Sequence, residues 1–169
     1  VIHEDIINEL TQMYPLIRNL IKEDQPIIET GFKKWAENII ANGVPHNNWD
    51  LFQADFIVKI ALILQDNQVY ADGKGKQYYL DYVVNQNSIR QWSLNKLIDF
   101  GFDQKAKTWY ESPGYSTTVL STLCDFTNML DEKAGIDMFK QRPILIDGVK
   151  ASAEYLFPNR MIAGFGDTH

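Results

Sequence analysis

Five residues, Ser112-Pro113-Gly114-Tyr115-Ser116, place a tyrosine at the start of a helical run. The Pro-Gly pair breaks the backbone immediately before Tyr115, so a turn lies on one side of the phenol and a helix on the other. Polar groups that rigid elements hold on loops are a common source of catalysis and binding. A phenol in this position can exchange a proton with a bound molecule. The structural alternative is a tyrosine that packs its ring and hydrates its hydroxyl.

A second cluster, His46-Asn47-Asn48-Trp49-Asp50, precedes another helical run. Asparagine is among the best residues for capping a helix, so Asn47 or Asn48 could serve as the N-cap. Two adjacent asparagines followed by a tryptophan are more than one cap requires. An amide beside an exposed indole favours carbohydrate binding, because the ring stacks on a sugar face and the amide bonds to hydroxyl or carboxylate groups.

Other chemistries have less support in the sequence. The three histidines, His3, His46 and His169, lack the spacing of metal ligands, and we expect neither a metal nor a cofactor. The segment Gly73-Lys74-Gly75-Lys76 follows no strand, which favours a solvated turn over a phosphate-binding loop. Ser112-Pro113-Gly114 does not match the nucleophile motif of serine hydrolases.

A glycosidase would need a pair of carboxylates. Glu111 is suitably placed beside the tyrosine motif, and its only suggestive partners are Asp50 and Asp55. We keep this as a minor alternative.

Together the two clusters resemble the heparinase II/III and oligoalginate-lyase superfamily. The resemblance covers the chain from about residue 44 onward and rests on three segments. These are Asn47-Asn48-Trp49…Gln53, Trp109-Tyr110-Glu111-Ser112-Pro113-Gly114-Tyr115, and Leu156-Phe157-Pro158-Asn159…Gly164-Phe165-Gly166-Asp167. It implies an incomplete α/α toroid followed by a large antiparallel β-domain. Nothing in this chain resembles the β-domain, so we expect the chain to be cut from a longer polypeptide.

The resemblance also implies β-elimination at a 4-linked uronic acid of an acidic polysaccharide, such as alginate or a glycosaminoglycan. Asn48 would neutralise the C6 carboxylate, as an oxyanion hole does. Tyr115 would remove the C5 proton and protonate the departing O4, although a free phenol has a pKa of about 10. Substrate contacts are expected from His46, Asn47, Trp49, Gln53, Trp109 and Glu111.

The resemblance to this superfamily also implies a periplasmic, secreted or cell-surface location. The rival interpretation is a non-catalytic helical domain that binds carbohydrate or acts as a scaffold, with its aromatic residues in the core.

The composition sets broad limits on these interpretations. The 169 residues are 45% hydrophobic with a formal net charge of −6, which is ordinary for a globular domain and argues against a nucleic-acid surface. Cys124 is the only cysteine, so no disulfide framework is expected. No apolar run reaches the roughly 18 residues that a membrane span needs.

Helical periodicity dominates the chain and predicts one all-α domain over residues 1–169, built from antiparallel helix hairpins. In the first helix, Ile6, Ile7, Leu10 and Met13 form the predicted inner face, which Leu16, Ile17, Leu20 and Ile21 continue beyond a kink or break at Pro15. Further helices are predicted from Pro26 to Asn42 with Ile27 facing inward, over Leu51–Leu64, as one or two helices within Tyr78–Leu97, over Val119–Leu130, and from Pro143 to Tyr155 with Val149 and Ala153 facing inward. A long irregular connection should join Gly101 to Gly114.

Overall fold

The computed structural model describes residues 5–45, 48–159 and 161–164. Within these ranges every regular element is helical, and the extended pairings are two isolated bridges, which confirms the all-α prediction. The α-helices are α1 (Asp5–Ile17), α2 (Gln25–Asn42), α3 (Asn48–Ile63), α4 (Lys76–Asn85), α5 (Leu94–Gly101), α6 (Pro113–Ala134), α7 (Met138–Gln141) and α8 (Ile144–Ser152). None of the described helices is both long and apolar enough to cross a membrane. The toroid stays a prediction.

The chain forms two compact units, Val1–Leu97 and Ile98–His169. In the first unit α3 is the central element, and α1, α2 and α4 all pack against it. Such a helix must be apolar around most of its circumference, and α3 is. Its buried apolar side chains are Leu51, Ala54, Phe56, Ile57, Val58, Ile60, Ala61 and Ile63. The start of α3 therefore belongs to the helix against which α1, α2 and α4 pack.

A buried carboxylate ties the first two helices to the segment that follows α3. Glu29 on α2 is only 2% exposed, and its two oxygens accept hydrogen bonds from Tyr14 (2.9 Å), Tyr70 (2.7 Å), Gln65 (3.3 Å) and Arg18 (3.4 Å). A buried charge is tolerated when it is paired and fully hydrogen-bonded, as here. Burial, together with the bond to Glu29, raises the pKa of Tyr14 to about 12. We call these residues the Glu29 cluster.

The predicted inner face of α1 is wrong by about one position. The helix buries Ile7, Thr11 and Tyr14, which are spaced as i, i+4 and i+7, and leaves Ile6, Leu10 and Met13 exposed. Ile6 and Ile7 are adjacent, so an apolar stripe with helical spacing can pass through either of them. The sequence pattern therefore could not show which face of α1 is buried.

The helix also runs through Pro15 and ends at Ile17, instead of dividing at the proline. Proline removes only its own backbone donor, and here it lies in the last turn, where little helix remains to be broken. Since the chain turns after Ile17, Leu16 and Leu20 lie on the surface instead of continuing the apolar face. The inward positions predicted for Ile27 and Val149 are also wrong, because both side chains are exposed.

The prediction of one or two helices within Tyr78–Leu97 resolves into two. Residues 86–93 separate α4 from α5 and are not helical. This connecting segment contains the buried residues Gln91, Trp92 and Ser93. It therefore contributes to the core of the first unit although it has no regular structure.

The second unit is organised around α6, against which α7 and α8 pack. Gly148 lets α8 approach the Phe102 ring closely, because a Cβ at this position would lie 2.6 Å from that ring. At its C-terminus α6 ends on Gly135, which has a φ of 67° and donates its N–H to Asp131 O (2.9 Å). This left-handed glycine is a common way to stop a helix. The four-residue α7 was not predicted, since it is too short to show a period.

The last predicted helix, from Pro143 to Tyr155, is α8 followed by one turn of 3₁₀-helix at Ala153–Tyr155. Ala153, predicted to face inward, is exposed in that turn. A 3₁₀ turn has three residues per turn, so the apolar spacing of an α-helix no longer selects the buried side there.

Candidate functional site

The first predicted cluster lies at the start of α3. Asn48 is the first residue of the helix and is half-buried, and the indole of Trp49 is 46% exposed. His46 and Asn47 lie outside the described residues. An amide and an accessible aromatic ring thus stand next to each other on the first turn of a well-packed helix.

Asp50 fixes this first turn. Its carboxylate is fully buried, accepts the backbone N–H of Trp92 (3.0 Å to Oδ2) and accepts a second hydrogen bond from the side-chain amide of Gln91. Gln91 also donates to the Asp50 carbonyl (3.0 Å). The connecting segment between α4 and α5 thereby holds the turn that carries Asn48 and Trp49.

Gln53 was predicted to contact substrate, but the structure buries it. Its side chain is 1% exposed and makes a two-way pair with the backbone of Val44: Oε1 accepts the Val44 N–H (2.7 Å) and Nε2 donates to the Val44 carbonyl (3.2 Å). The same Nε2 donates to Gln91 Oε1 (3.1 Å). Gln53 therefore holds the backbone that leads into the cluster and offers no surface to a ligand.

Gly43 leaves room for this arrangement. A Cβ at that position would lie 2.7 Å from Gln53 Nε2 and 2.9 Å from the Arg90 carbonyl oxygen. Both distances are shorter than non-bonded atoms tolerate, so glycine is required by close approach and not by its backbone angles, which are ordinary.

The second cluster lies at the start of α6, in the other unit. Ser112 is the N-cap, Pro113 occupies the first turn, and Tyr115 follows with its side chain 39% exposed. Proline suits this position because its missing N–H is not needed there. Among the described residues no hydrogen-bond partner of the Tyr115 hydroxyl is found. Its neighbour Ser116 is fully buried, so the phenol borders the protein interior on one side and solvent on the other.

The connection before Tyr115 contains no helix or strand, which confirms the predicted irregular connection, and hydrogen bonds fix its path. Phe102 and Trp109 form an isolated antiparallel bridge, and Tyr110 N donates to Gly101 O (2.8 Å) at the same end of the loop. Inside the loop the Asp103 carboxylate accepts the N–H groups of Lys105 and Ala106, both at 2.7 Å. These two bonds lower the pKa of Asp103. The loop is thus a closed turn with a fixed path.

Trp109 was also predicted to contact substrate, and it too is buried. The ring is 6% exposed, stands edge-on to Phe102 with 5.3 Å between centroids, and lies directly against Gly101. The close approach to Gly101 leaves no space for a side chain there. Trp109 is therefore a core residue that anchors the loop, whereas Glu111 and Tyr110 beside it are exposed.

The carboxylates of the glycosidase alternative are occupied. Asp50 is buried in the hydrogen bonds already described, and Asp55 forms an ion pair with Lys59 (2.5 Å) one turn further along α3. Neither is an accessible partner for Glu111 as a general acid or nucleophile.

Within the described part of the chain no group of histidine, cysteine, aspartate and glutamate side chains is arranged to hold a metal ion. Cys124 on α6 is half-buried, and burial raises the pKa of its thiol, so it is a poor nucleophile.

Sequence reasoning did not find Gln91 or Trp92 as partners of the first cluster. Both lie about 40 residues away along the chain, in a stretch without regular periodicity. Glutamine is typical of surface loops, and nothing in the neighbouring sequence indicates that Gln91 is buried. Asp50 was considered only as a carboxylate for catalysis.

The chain matches no family model, no curated protein and no solved structure.

Proposed function

We propose that this chain belongs to a polysaccharide lyase that cleaves a 4-linked uronic-acid glycan by β-elimination. The observation that supports it most directly is Tyr115, a partly exposed phenol at the first turn of α6 whose position is set by an ordered loop. A proton-transfer group needs a fixed position and access to the substrate, and Tyr115 has both.

In the proposed reaction Tyr115 acts as a phenolate and takes the C5 proton of the uronate, which makes it a neutral phenol. The electron pair of the broken C5–H bond forms the C4–C5 double bond, and the C4–O4 bond breaks with its electrons remaining on O4. The departing O4 then receives a proton from the same phenol, so Tyr115 ends the cycle unchanged. The products are one chain with a new reducing end, which carries the former O4, and one chain whose new non-reducing end is the unsaturated uronide.

The family resemblance assigns Asn48 to the carboxylate of that uronate. Proton removal at C5 pushes negative charge onto the C6 carboxylate, and an amide donor stabilises this charge where water is excluded. The support is that Asn48 lies on the first turn of α3, held in place by Asp50, Gln91 and Trp92. The adjacent Trp49 ring offers a face on which a sugar can stack.

Three parts of the proposal rest on the family resemblance alone: a β-domain elsewhere in the natural protein, a periplasmic, secreted or cell-surface location, and substrate contacts by His46 and Asn47. Glu111 is exposed and is retained as a substrate contact, while Gln53 and Trp109 are not.

The test is an ultraviolet assay for unsaturated uronides with the full-length natural protein on alginate, heparosan and chondroitin. We expect one of these polymers to give rising absorbance, and Tyr115→Phe to lower the rate by about 10² to 10⁴-fold, the usual contribution of general acid–base catalysis. Absence of product from all three polymers, or an unchanged rate in Tyr115→Phe, would overturn the proposal.

The exposed Trp49 beside Asn48 favours a second candidate, a domain that binds an acidic glycan without cleaving it. In that case the wild-type protein would retain glycan in a binding assay and release no unsaturated product. Trp49→Ala would abolish binding, and Tyr115→Phe would leave it unchanged.

A further inference from the structure

One hydrogen-bonded chain of side chains reaches both flanks of the segment 45–49. On one flank, Gln53 pairs with both backbone groups of Val44. On the other flank, the carboxylate and the carbonyl of Asp50 both accept from Gln91. Gln91 joins the two flanks, because its Oε1 also accepts from Gln53 Nε2 (3.1 Å). We call Gln53, Gln91 and Asp50 the Gln91 relay.

Each member of the relay can point in only one direction. The Val44 N–H occupies Gln53 Oε1, so the amide nitrogen of Gln53 must face Gln91. The oxygen of Gln91 accepts that bond, and its nitrogen must then face the Asp50 carboxylate, which can only accept. Turning either amide over would set two donors or two acceptors against each other. The relay therefore has one arrangement and not two.

Burial makes that arrangement costly to disturb. Gln53 is 1% exposed, and Asp50 and Gln91 are fully buried, so water cannot replace a lost partner without opening the unit. Polar networks that are fully satisfied in the interior make the structure rigid and specify a single geometry. The network therefore fixes Val44 on one side of Asn48 and Trp49, and Asp50 on the other.

We infer that Gln91 is a positioning residue that sets the orientation of Asn48 and Trp49 through Gln53 and Asp50. Gln91 forms no hydrogen bond with Asn48 or Trp49. It acts by holding Val44, through Gln53, and Asp50, which lie on each side of them in the chain. The catalytic consequence rests on the proposed function, because it concerns the carboxylate-binding role of Asn48. The structural consequence does not.

The Glu29 cluster offers a matched control within the same unit. Its carboxylate is also buried and also accepts several hydrogen bonds, but its donors lie on α1 and on residues 65–70. Tyr14→Phe removes one donor to a buried carboxylate, as Gln91→Leu does, without touching the flanks of residues 45–49. Gln91→Leu also removes the acceptor of Gln53 Nε2 and the donor to the Asp50 carbonyl, so it should lose more stability, and only this variant should change the environment of Trp49.

The first measurement is ¹⁹F NMR of protein labelled with 5-fluorotryptophan, with the Trp49 signal assigned by Trp49→Phe. We expect Gln91→Leu to shift, broaden or split the Trp49 resonance, and Tyr14→Phe to leave it in place. An unchanged Trp49 resonance in folded Gln91→Leu would overturn the inference, as would an equal change in Tyr14→Phe. If Gln91→Leu does not fold, Gln91→Asn takes its place, since it keeps the amide but is too short to reach both flanks.

The second measurement is steady-state kinetics of the full-length natural protein on the polymer that it cleaves. A misplaced Asn48 should lower kcat in Gln91→Leu by about 10²-fold, the size expected for a displacement of about 1 Å at a reacting centre. Tyr14→Phe should retain the wild-type kcat below its unfolding temperature. Equal kcat in Gln91→Leu and wild type would remove the positioning role.

The two arms separate the two proposals. A Trp49 resonance that responds to Gln91→Leu in a protein without lyase activity would support the relay and refute the lyase. Lyase activity that depends on Tyr115 but not on Gln91 would support the lyase and refute the positioning role of the relay.

Discussion

The starts of α3 and α6 present the same kind of surface and are held in place by different forces. Each leaves one aromatic side chain partly exposed on its first turn: Trp49 is 46% and Tyr115 is 39% accessible. At the α3 start, residues 43–53, the support is a buried relay of hydrogen bonds that ends on a carboxylate. At the α6 start, residues 101–116, the support is a tryptophan ring packed on a glycine and a phenylalanine.

The difference determines how each region can fail. A buried polar network is damaged by removing one partner, because the group left behind loses its hydrogen bond and gains none from water. A packed aromatic contact is damaged by a change of volume in either direction. In both regions the exposed side chain itself carries little of the stability and can be substituted to test function.

The largest effect should separate the two tryptophans that were predicted to bind substrate. Trp109→Ala removes a buried ring from the α6 start and should lower the free energy of unfolding by about 3–5 kcal/mol. Trp49→Ala removes a half-exposed ring and should cost about 1 kcal/mol or less. Chemical denaturation of both variants measures the difference. Equal losses would mean that Trp49 is also a core residue and would contradict the comparison.

The next effect tests the relay at its carboxylate. Asp50→Ala removes the carboxylate that accepts from the Trp92 N–H and one of the acceptors of the Gln91 amide, and a buried group that loses its hydrogen bond costs about 1–3 kcal/mol. We expect a loss of about 2–4 kcal/mol in a denaturant titration. The control is Asp55→Ala on the same helix, whose partly exposed ion pair with Lys59 should contribute about 1 kcal/mol or less. A smaller loss for Asp50 than for Asp55 would refute the polar support of the α3 start.

These two cases show what the sequence could and could not predict. The start of α6 was predicted from Pro113-Gly114, a pair that interrupts regular structure locally, and the end of α2 was predicted near Asn42-Gly43, because glycine disfavours continuation of a helix. The all-α class followed from periodicity summed over many residues. Such signals are contained within a few turns of chain.

What could not be predicted depends on contacts between distant parts of the chain. Trp109 has the same sequence context whether its ring lies on a substrate or on Gly101, and only the folded loop decides. Gln53 and Gln91 are 38 positions apart, and glutamine is usually a surface residue. The face of α1 was misassigned because the apolar residues at 6 and 7 satisfy two stripes, and packing against α3 selects one.

A smaller effect tests the volume limit at the α6 start. Gly101→Ala would place a Cβ inside the Trp109 ring, so the ring or the backbone must move, at a cost of about 1–3 kcal/mol. The matched control is Gly31→Ala in the middle of α2, where nothing lies within 4 Å of the added methyl group. There alanine should stabilise by about 0.4–1 kcal/mol, because it restricts the unfolded chain and favours the helix. If both substitutions stabilise, the ring contact does not constrain the α6 start.

The smallest effect is a pH dependence at the α6 start. The N–H groups of Ala106 and Lys105 lower the pKa of Asp103, so the unfolded chain binds the proton more tightly than the folded one. Its stabilising contribution is therefore complete above the unfolded value of about 3.9 and is lost as the pH falls through the lower folded value. Asp103→Asn retains an oxygen acceptor and cannot titrate. The difference in unfolding free energy between wild type and this variant should shrink from neutral pH to about pH 3, the range in which the carboxylate becomes protonated. A difference that stays constant over this range would mean that the loop is held by Trp109 and the backbone alone. In that case packing and backbone contacts alone would hold Tyr115 in place. The contrast with the start of α3, which buried side-chain hydrogen bonds hold, would then be greater.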